Sequence, residues 1–78
     1  MVAIGFVLID TKPTMERSVY EALSRLREIK ELYLLFGGHD IIARIEGEDF
    51  NEIGQVIVGK VRRVGGVEDT RTLTVIEL

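Results

Sequence analysis

Phe36-Gly37-Gly38-His39-Asp40-Ile41-Ile42-Ala43-Arg44-Ile45 is the stretch on which the fold turns. Gly37-Gly38-His39 reads as a hairpin turn, because glycine supplies the positive φ that such turns need. The strand after it is predicted over Asp40 to Glu46, where Ile41, Ala43 and Ile45 alternate with Asp40, Ile42, Arg44 and Glu46. The strand before it is predicted over Glu31 to Phe36, with Leu32, Leu34 and Phe36 on one face.

Upstream of the hairpin, Val2 to Ile9 is almost wholly apolar, as a strand covered on both faces must be. Ala3, Gly5, Val7 and Ile9 point one way, and Val2, Ile4, Phe6 and Leu8 the other. Asp10-Thr11-Lys12-Pro13 ends that strand. Thr14 reads as an N-cap, with Glu16 in the first turn facing the positive helix end. Met15, Val19, Ala22, Leu23 and Leu26 recur at helical spacing, which predicts a helix from Met15 to Arg27.

Downstream, Asp49 with Glu52 three residues on resembles a capping box. Phe50, Ile53, Ile57, Val61 and Val64 then form the apolar stripe of a second helix. Gly54 and Gly59 lie inside it, each costing ~1 kcal/mol against alanine, and are read as close packing onto the sheet or a neighbour. Gly65-Gly66 is expected to end the helix through left-handed conformations. A last strand follows over Val67 to Leu78.

The order is strand, helix, strand, strand, helix, strand over a single domain, residues 1–78. This is an α+β, ferredoxin-like βαββαβ unit: a four-stranded antiparallel sheet with two helices on one face. The first strand nonetheless offers apolar residues to both faces. The uncovered face therefore predicts a second copy, packed sheet to sheet.

Composition narrows the function classes. The absence of cysteine excludes disulfides and thiolate metal sites. No run approaches the ~20 apolar residues of a membrane span. Apolar strand residues begin at Val2, so no signal peptide is expected and a cytoplasmic location is. A net charge of −3, with Arg62-Arg63 the only adjacent basic pair, argues against nucleic-acid binding. One Asn, one Gln and 29% charged residues fit a thermophile. There is no nucleophile–base pair and no metal cluster in the sequence pattern, so a non-enzymatic module without cofactors is expected.

Gly37-x-x-Asp40 between strands two and three, Gly65-Gly66-Val67 after the second helix, and Thr70-x-Thr72 on the last strand together resemble the effector-binding (RAM) domain of the Lrp/AsnC transcription regulators. The resemblance runs over essentially the whole chain. It implies an amino acid effector, dimers paired through their sheets, and assembly of dimers to a higher oligomer. The effector would lie between dimers, near the strand-two/strand-three turn. Members with a helix-turn-helix domain carry it N-terminal to this unit. The chain thus looks like the stand-alone form, for which output through a helix-turn-helix-bearing relative or an enzyme is implied, and direct DNA contact is not.

On that resemblance the ligand set is Gly37, Gly38, His39, Asp40, Thr70 and Thr72. The Gly37 and Gly38 N–H groups could hold an α-carboxylate as a backbone nest does. They could equally form a tight turn and nothing more. Asp40 could pair with a ligand ammonium or bond the turn backbone. His39 is expected in an exposed turn position, with a side-chain contact to the effector unsupported by any second feature; one histidine is also a poor metal site. Thr70, Thr72 and Thr74 form a hydroxyl row, although threonine favours strands anyway. Arg44 and Arg71 are read as partners of Glu46 or Asp69 in cross-strand or intersubunit ion pairs.

Three other readings share the fold. An ACT-type amino acid-binding domain acting on a metabolic enzyme would place its glycine-rich turn after strand one, where Asp10-Thr11-Lys12-Pro13-Thr14 has none. A small dimeric enzyme would have to use His39 and Asp40, neighbours whose side chains diverge on a strand. A purely structural role would leave the glycines as turns.

Overall fold

The computed structural model describes residues 2–77. Strand β1 (Ala3–Thr11) leads to helix α1 (Glu16–Leu23), then to strands β2 (Ile29–Leu34) and β3 (Ile41–Gly47). Helix α2 (Phe50–Val56) runs into a π-helical turn over Ile57–Val61, and strand β4 (Val67–Thr74) follows. The sheet order is β2-β3-β1-β4, antiparallel throughout. The ferredoxin-like architecture predicted from the sequence is the one observed.

Register fixes the two sheet faces. Val7 lies opposite Ala43 on one side and Thr72 on the other, and Ile9 lies opposite Ile41 and Thr70. Directly opposed residues share a face. That face is covered by α1, α2 and the π turn, through Val19, Leu23, Ile53, Val56 and Ile57, all buried with Val7, Ile9, Ile41, Ala43 and Ile45. Burial of a side chain of this kind contributes roughly 1.5–3 kcal/mol. The opposite face carries Ile4, Phe6, Leu8, Ile42 and Leu73, together with Tyr33, and no described element of the chain covers it.

Several boundaries differ from the sequence expectation, each for a local reason. α1 begins at Glu16 and Thr14 is not its cap. Thr14 has φ +68, and the Met15 N–H donates to the Lys12 carbonyl at 3.0 Å, so Lys12-Pro13-Thr14-Met15 is a turn with Pro13 at its second position. The helix stops at Leu23 rather than Arg27, where the Arg25 and Leu26 N–H groups tighten to carbonyls three residues back. β2 ends at Leu34, and Phe36 is fully exposed beyond it rather than on a strand face. β3 starts at Ile41, with Asp40 in the loop. β4 ends at Thr74, one further ladder bond running from the Val75 N–H to the Ile4 carbonyl. The predicted strand residue Leu78 lies outside the described residues.

The second helix starts as expected. The Asp49 side chain accepts from the Glu52 N–H at 2.8 Å, and the Glu52 carboxylate accepts from the Glu48 N–H at 3.2 Å. The Arg62 N–H reaches the Ile57 carbonyl five residues back at 2.8 Å, which defines the π turn. Phe50, predicted as part of the buried stripe, is half exposed. Of the closing glycines only Gly66 has a positive φ, +100. An added Cβ at Gly66 would meet Val19 Cγ2 at 2.8 Å, whereas one at Gly65 would meet nothing within 4 Å.

Candidate functional site

The β2–β3 connection is a six-residue loop over Leu35 to Asp40 rather than the three-residue turn Gly37-Gly38-His39, closed by the Leu35 N–H donating to the Asp40 carbonyl at 2.8 Å. Gly37 has φ +138, a conformation open to glycine and strained for other residues. Among the described residues, the N–H groups of Gly37, Gly38 and His39 donate to no protein acceptor. Phe36 stands at the tip, beside exposed Leu34 and Leu35.

His39 and Asp40 are less free than the sequence implied. The His39 ring nitrogen Nδ1 lies 2.9 Å from Asp10 Oδ1, with both side chains about one-third exposed. Asp10 in turn lies opposite Asp69 on β4. Asp40 Oδ2 accepts from the Thr11 N–H at 2.8 Å and from the Thr11 hydroxyl at 3.2 Å. The Asp40 N–H donates to the Ile9 carbonyl at 3.1 Å. One carboxylate oxygen is thus engaged by the end of β1, and Oδ1 has no protein partner among the described residues.

Thr70 and Thr72 lie on the helix-covered side of the β4 edge. With Thr74 they form one wall of a groove of about 340 Å³, whose other wall is Gly54, Ile57 and Val58 of the second helix and its π turn. Thr70 is level with Ile9 and Ile41, at the same end of the sheet as the loop, but two strand spacings, about 10 Å, from β3. Thr72 lies further along β4, opposite Val7. The six residues therefore form two clusters in one chain, the loop and the edge groove. Thr11 was missed as a neighbour of the site; a threonine at the end of an otherwise apolar strand was the available signal.

A charged cluster, Glu31, Arg44 and Glu46, lies on the open sheet face. Arg44 bridges Glu31, at 2.7 Å, and Glu46. Arg44 does meet Glu46, but along its own strand rather than across strands or subunits, and the cross-strand partner is Glu31. Arg71 makes no ion pair among the described residues. The Arg44 guanidinium and the Tyr33 hydroxyl hold the Glu31 carboxyl below its ordinary range, and Glu31 pushes the Tyr33 phenol up. No group of three or more potential metal-ligating side chains occurs among the described residues, and no described helix is long and apolar enough to cross a membrane.

The ferredoxin-like sheet, with a hairpin loop whose Gly37 takes a positive φ and an apolar face that no described element covers, is the architecture of a small ligand-binding domain. The chain belongs to the Lrp/AsnC family: the model of the Lrp/AsnC ligand binding domain matches residues 4–78. An uncharacterized HTH-type transcriptional regulator of Pyrococcus abyssi is 32% identical over 69 residues, covering 88% of this chain and 44% of that protein. The leucine-responsive regulatory protein of Haemophilus influenzae is 30% identical over 77 residues, covering 99% of this chain and 46% of that protein. The chain thus spans about half the length of the curated relatives it matches. A solved protein of Thermus thermophilus superposes with a TM-score of 0.91 at 28% identity, covering 97% of this chain and 95% of that one.

Proposed function

We propose that this chain is an oligomeric amino acid-sensing regulatory module, with its effector bound between dimers. One observation carries the reading: the Gly37–Asp40 loop and the Thr70/Thr72 groove are separate in one protomer, so a site containing both needs a second copy. The exposed tip residue Phe36 is an apolar knob beside the loop, and the groove between α2 and β4 offers Phe50, Gly54 and Val58 to receive a neighbour. The open face, with Phe6, Leu8, Ile42 and Leu73, pairs the two protomers of a dimer. The effector carboxylate meets the free N–H groups at Gly37 and Gly38, and its ammonium meets Asp40 Oδ1. Its binding favours the assembly in which the interdimer pocket exists.

Family membership supports a regulatory, non-enzymatic role, and the name of the leucine-responsive relative supports an amino acid as effector. Output passes to a helix-turn-helix-bearing relative through mixed assembly, or to an enzyme by contact. A thermal-shift screen of the twenty amino acids, paired with light scattering, tests the reading. An amino acid that raises the melting temperature with RT ln(1 + [L]/Kd) dependence and changes the assembly supports it. No shift with any of the twenty refutes it.

A further inference from the structure

We infer that Thr11, at the end of β1, is a positioning residue that holds the Leu35–Asp40 loop in its ligand-receiving form. The inference rests on the binding role proposed for that loop. Thr11 is 7% exposed and stands out as a polar residue amid the apolar core. A buried hydroxyl requires a partner, and this one has the Asp40 carboxylate, 29 residues away in sequence. The β1–β4 register shifts between Asp10 and Thr11, so the strand is irregular where the loop attaches.

The attachment is reciprocal. Thr11 gives its N–H and its hydroxyl to Asp40 Oδ2, and Asp40 returns its own N–H to the Ile9 carbonyl. The Asp40 carboxylate takes the place of the next carbonyl that a longer β3 would have offered. His39 adds a second tie at 2.9 Å to Asp10, the residue before Thr11. Among the described residues, the loop's only other hydrogen bond is its own closing one, from the Leu35 N–H to the Asp40 carbonyl. Asp40 thereby divides its two oxygens: Oδ2 fixes the backbone that carries the free N–H groups, and Oδ1 is left for the ligand. A loop that is ordered only a fraction of the time binds with an affinity reduced by that fraction.

The test is Thr11→Val, which keeps shape and N–H but removes the hydroxyl, with Thr11→Ser as the rescue. Two amides report on the clasp in the ligand-free protein, those of Leu35 and Asp40, by hydrogen exchange. Both should exchange about tenfold faster in Thr11→Val and return to the wild-type rate in Thr11→Ser, while Val7 and Ala43 amides keep their rates. Calorimetric titration with each of the twenty amino acids should show affinity about tenfold weaker in Thr11→Val, with Thr11→Ser near wild type. Unchanged exchange at Leu35 and Asp40 overturns the clasp. Faster exchange with undiminished affinity overturns the positioning role and leaves the proposed site standing. A wild-type chain that binds none of the twenty overturns the site itself, and with it any effector role for Thr11.

Discussion

Replacing Gly66 with alanine should cost about 2–4 kcal/mol of stability, whereas the neighbouring change Gly65→Ala should cost nothing and gain up to ~1 kcal/mol. At Gly66 two penalties act together. Its φ of +100 lies where an L side chain is strained, by about 1–2 kcal/mol for a left-handed residue. The added methyl would also stand 2.8 Å from Val19 Cγ2, 2.9 Å from Met15 Cε and 3.1 Å from Met15 Cβ. Met15 Cε can swing aside. Val19 is a β-branched helical residue with one strongly preferred rotamer, and Met15 Cβ is fixed by the backbone, so neither yields cheaply. Overpacking of this kind costs typically 1–3 kcal/mol, and the reduced freedom of the unfolded chain returns only ~0.4–1. At Gly65 neither penalty applies, since its φ is not positive and its Cβ would meet open space. In a domain of this size 1 kcal/mol moves the melting temperature by roughly 4–8 °C. Calorimetry should therefore place Gly66→Ala about 10–30 °C below wild type and Gly65→Ala level with it or a few degrees above. Equal melting temperatures for the two variants would refute the argument that α1 and the α2–β4 connection meet too closely for a side chain.

Asp40→Ala should weaken amino acid binding about tenfold while the dimer persists by light scattering; unchanged affinity removes Asp40 from the site. Thr14→Gly should raise the urea midpoint, with a net gain of about 0.5 kcal/mol, because release of the positive-φ strain exceeds the extra chain entropy glycine loses; a lower midpoint would contradict the turn geometry. Gly54→Ala, whose methyl meets nothing within 4 Å in the protomer, should stabilise folding by ~1 kcal/mol yet weaken assembly beyond the dimer. Full assembly of that variant would take the α2 face out of the interdimer contact. The Lys60 ammonium, 2.5 Å from Glu28, holds the Glu28 carboxyl below its ordinary value. That pair contributes stability above the usual glutamate pKa of about 4.3 and loses it as pH falls through the lower folded value. In Lys60→Met, the Glu28 carboxyl followed by NMR should titrate at higher pH than in wild type; an unmoved titration would assign the depression elsewhere.

The sheet was legible because β1 is apolar on both faces and β3 keeps Ile41, Ala43 and Ile45 on one face, the patterns expected of a central strand and its neighbour. The capping pair Asp49 and Glu52 was legible for the same kind of reason, a local bond at fixed spacing. Thr14 misled because it carries a cap residue's chemistry, while Pro13 before it set up a turn that left Thr14 at positive φ. Phe36 kept the period of β2, yet β2 is an edge strand paired only with β3, and the loop takes its last residues. The threonine row could be placed on one face of β4, but not on which face, because that depends on register with Val7 and Ile9. Gly54 and Gly59 leave space that neither the sheet nor the rest of the described chain fills, which removes packing onto the sheet as their explanation. The partners of the candidate site were least legible. Asp40 with Thr11 and His39 with Asp10 are each separated by 29 residues and meet only when β1 and β3 pair.

The π turn over Ile57–Val61 has a consequence for how this chain tolerates changes in length. A turn closed by an i→i+5 bond encloses one residue more than an α turn, and here Val58 and Gly59 inside it are exposed while Ile57 and Val61 stay buried. Loss of a single residue from the exposed pair would let the helix close with ordinary i→i+4 bonds and still deliver Gly66 to its contact with Met15 and Val19. In the other helix and the strands a one-residue deletion would rotate the helix off its stripe or turn a strand inside out. Among these regular elements, the wall of the threonine groove is thus where the chain can change its length, and with it the width of that groove, without disturbing the strand that follows.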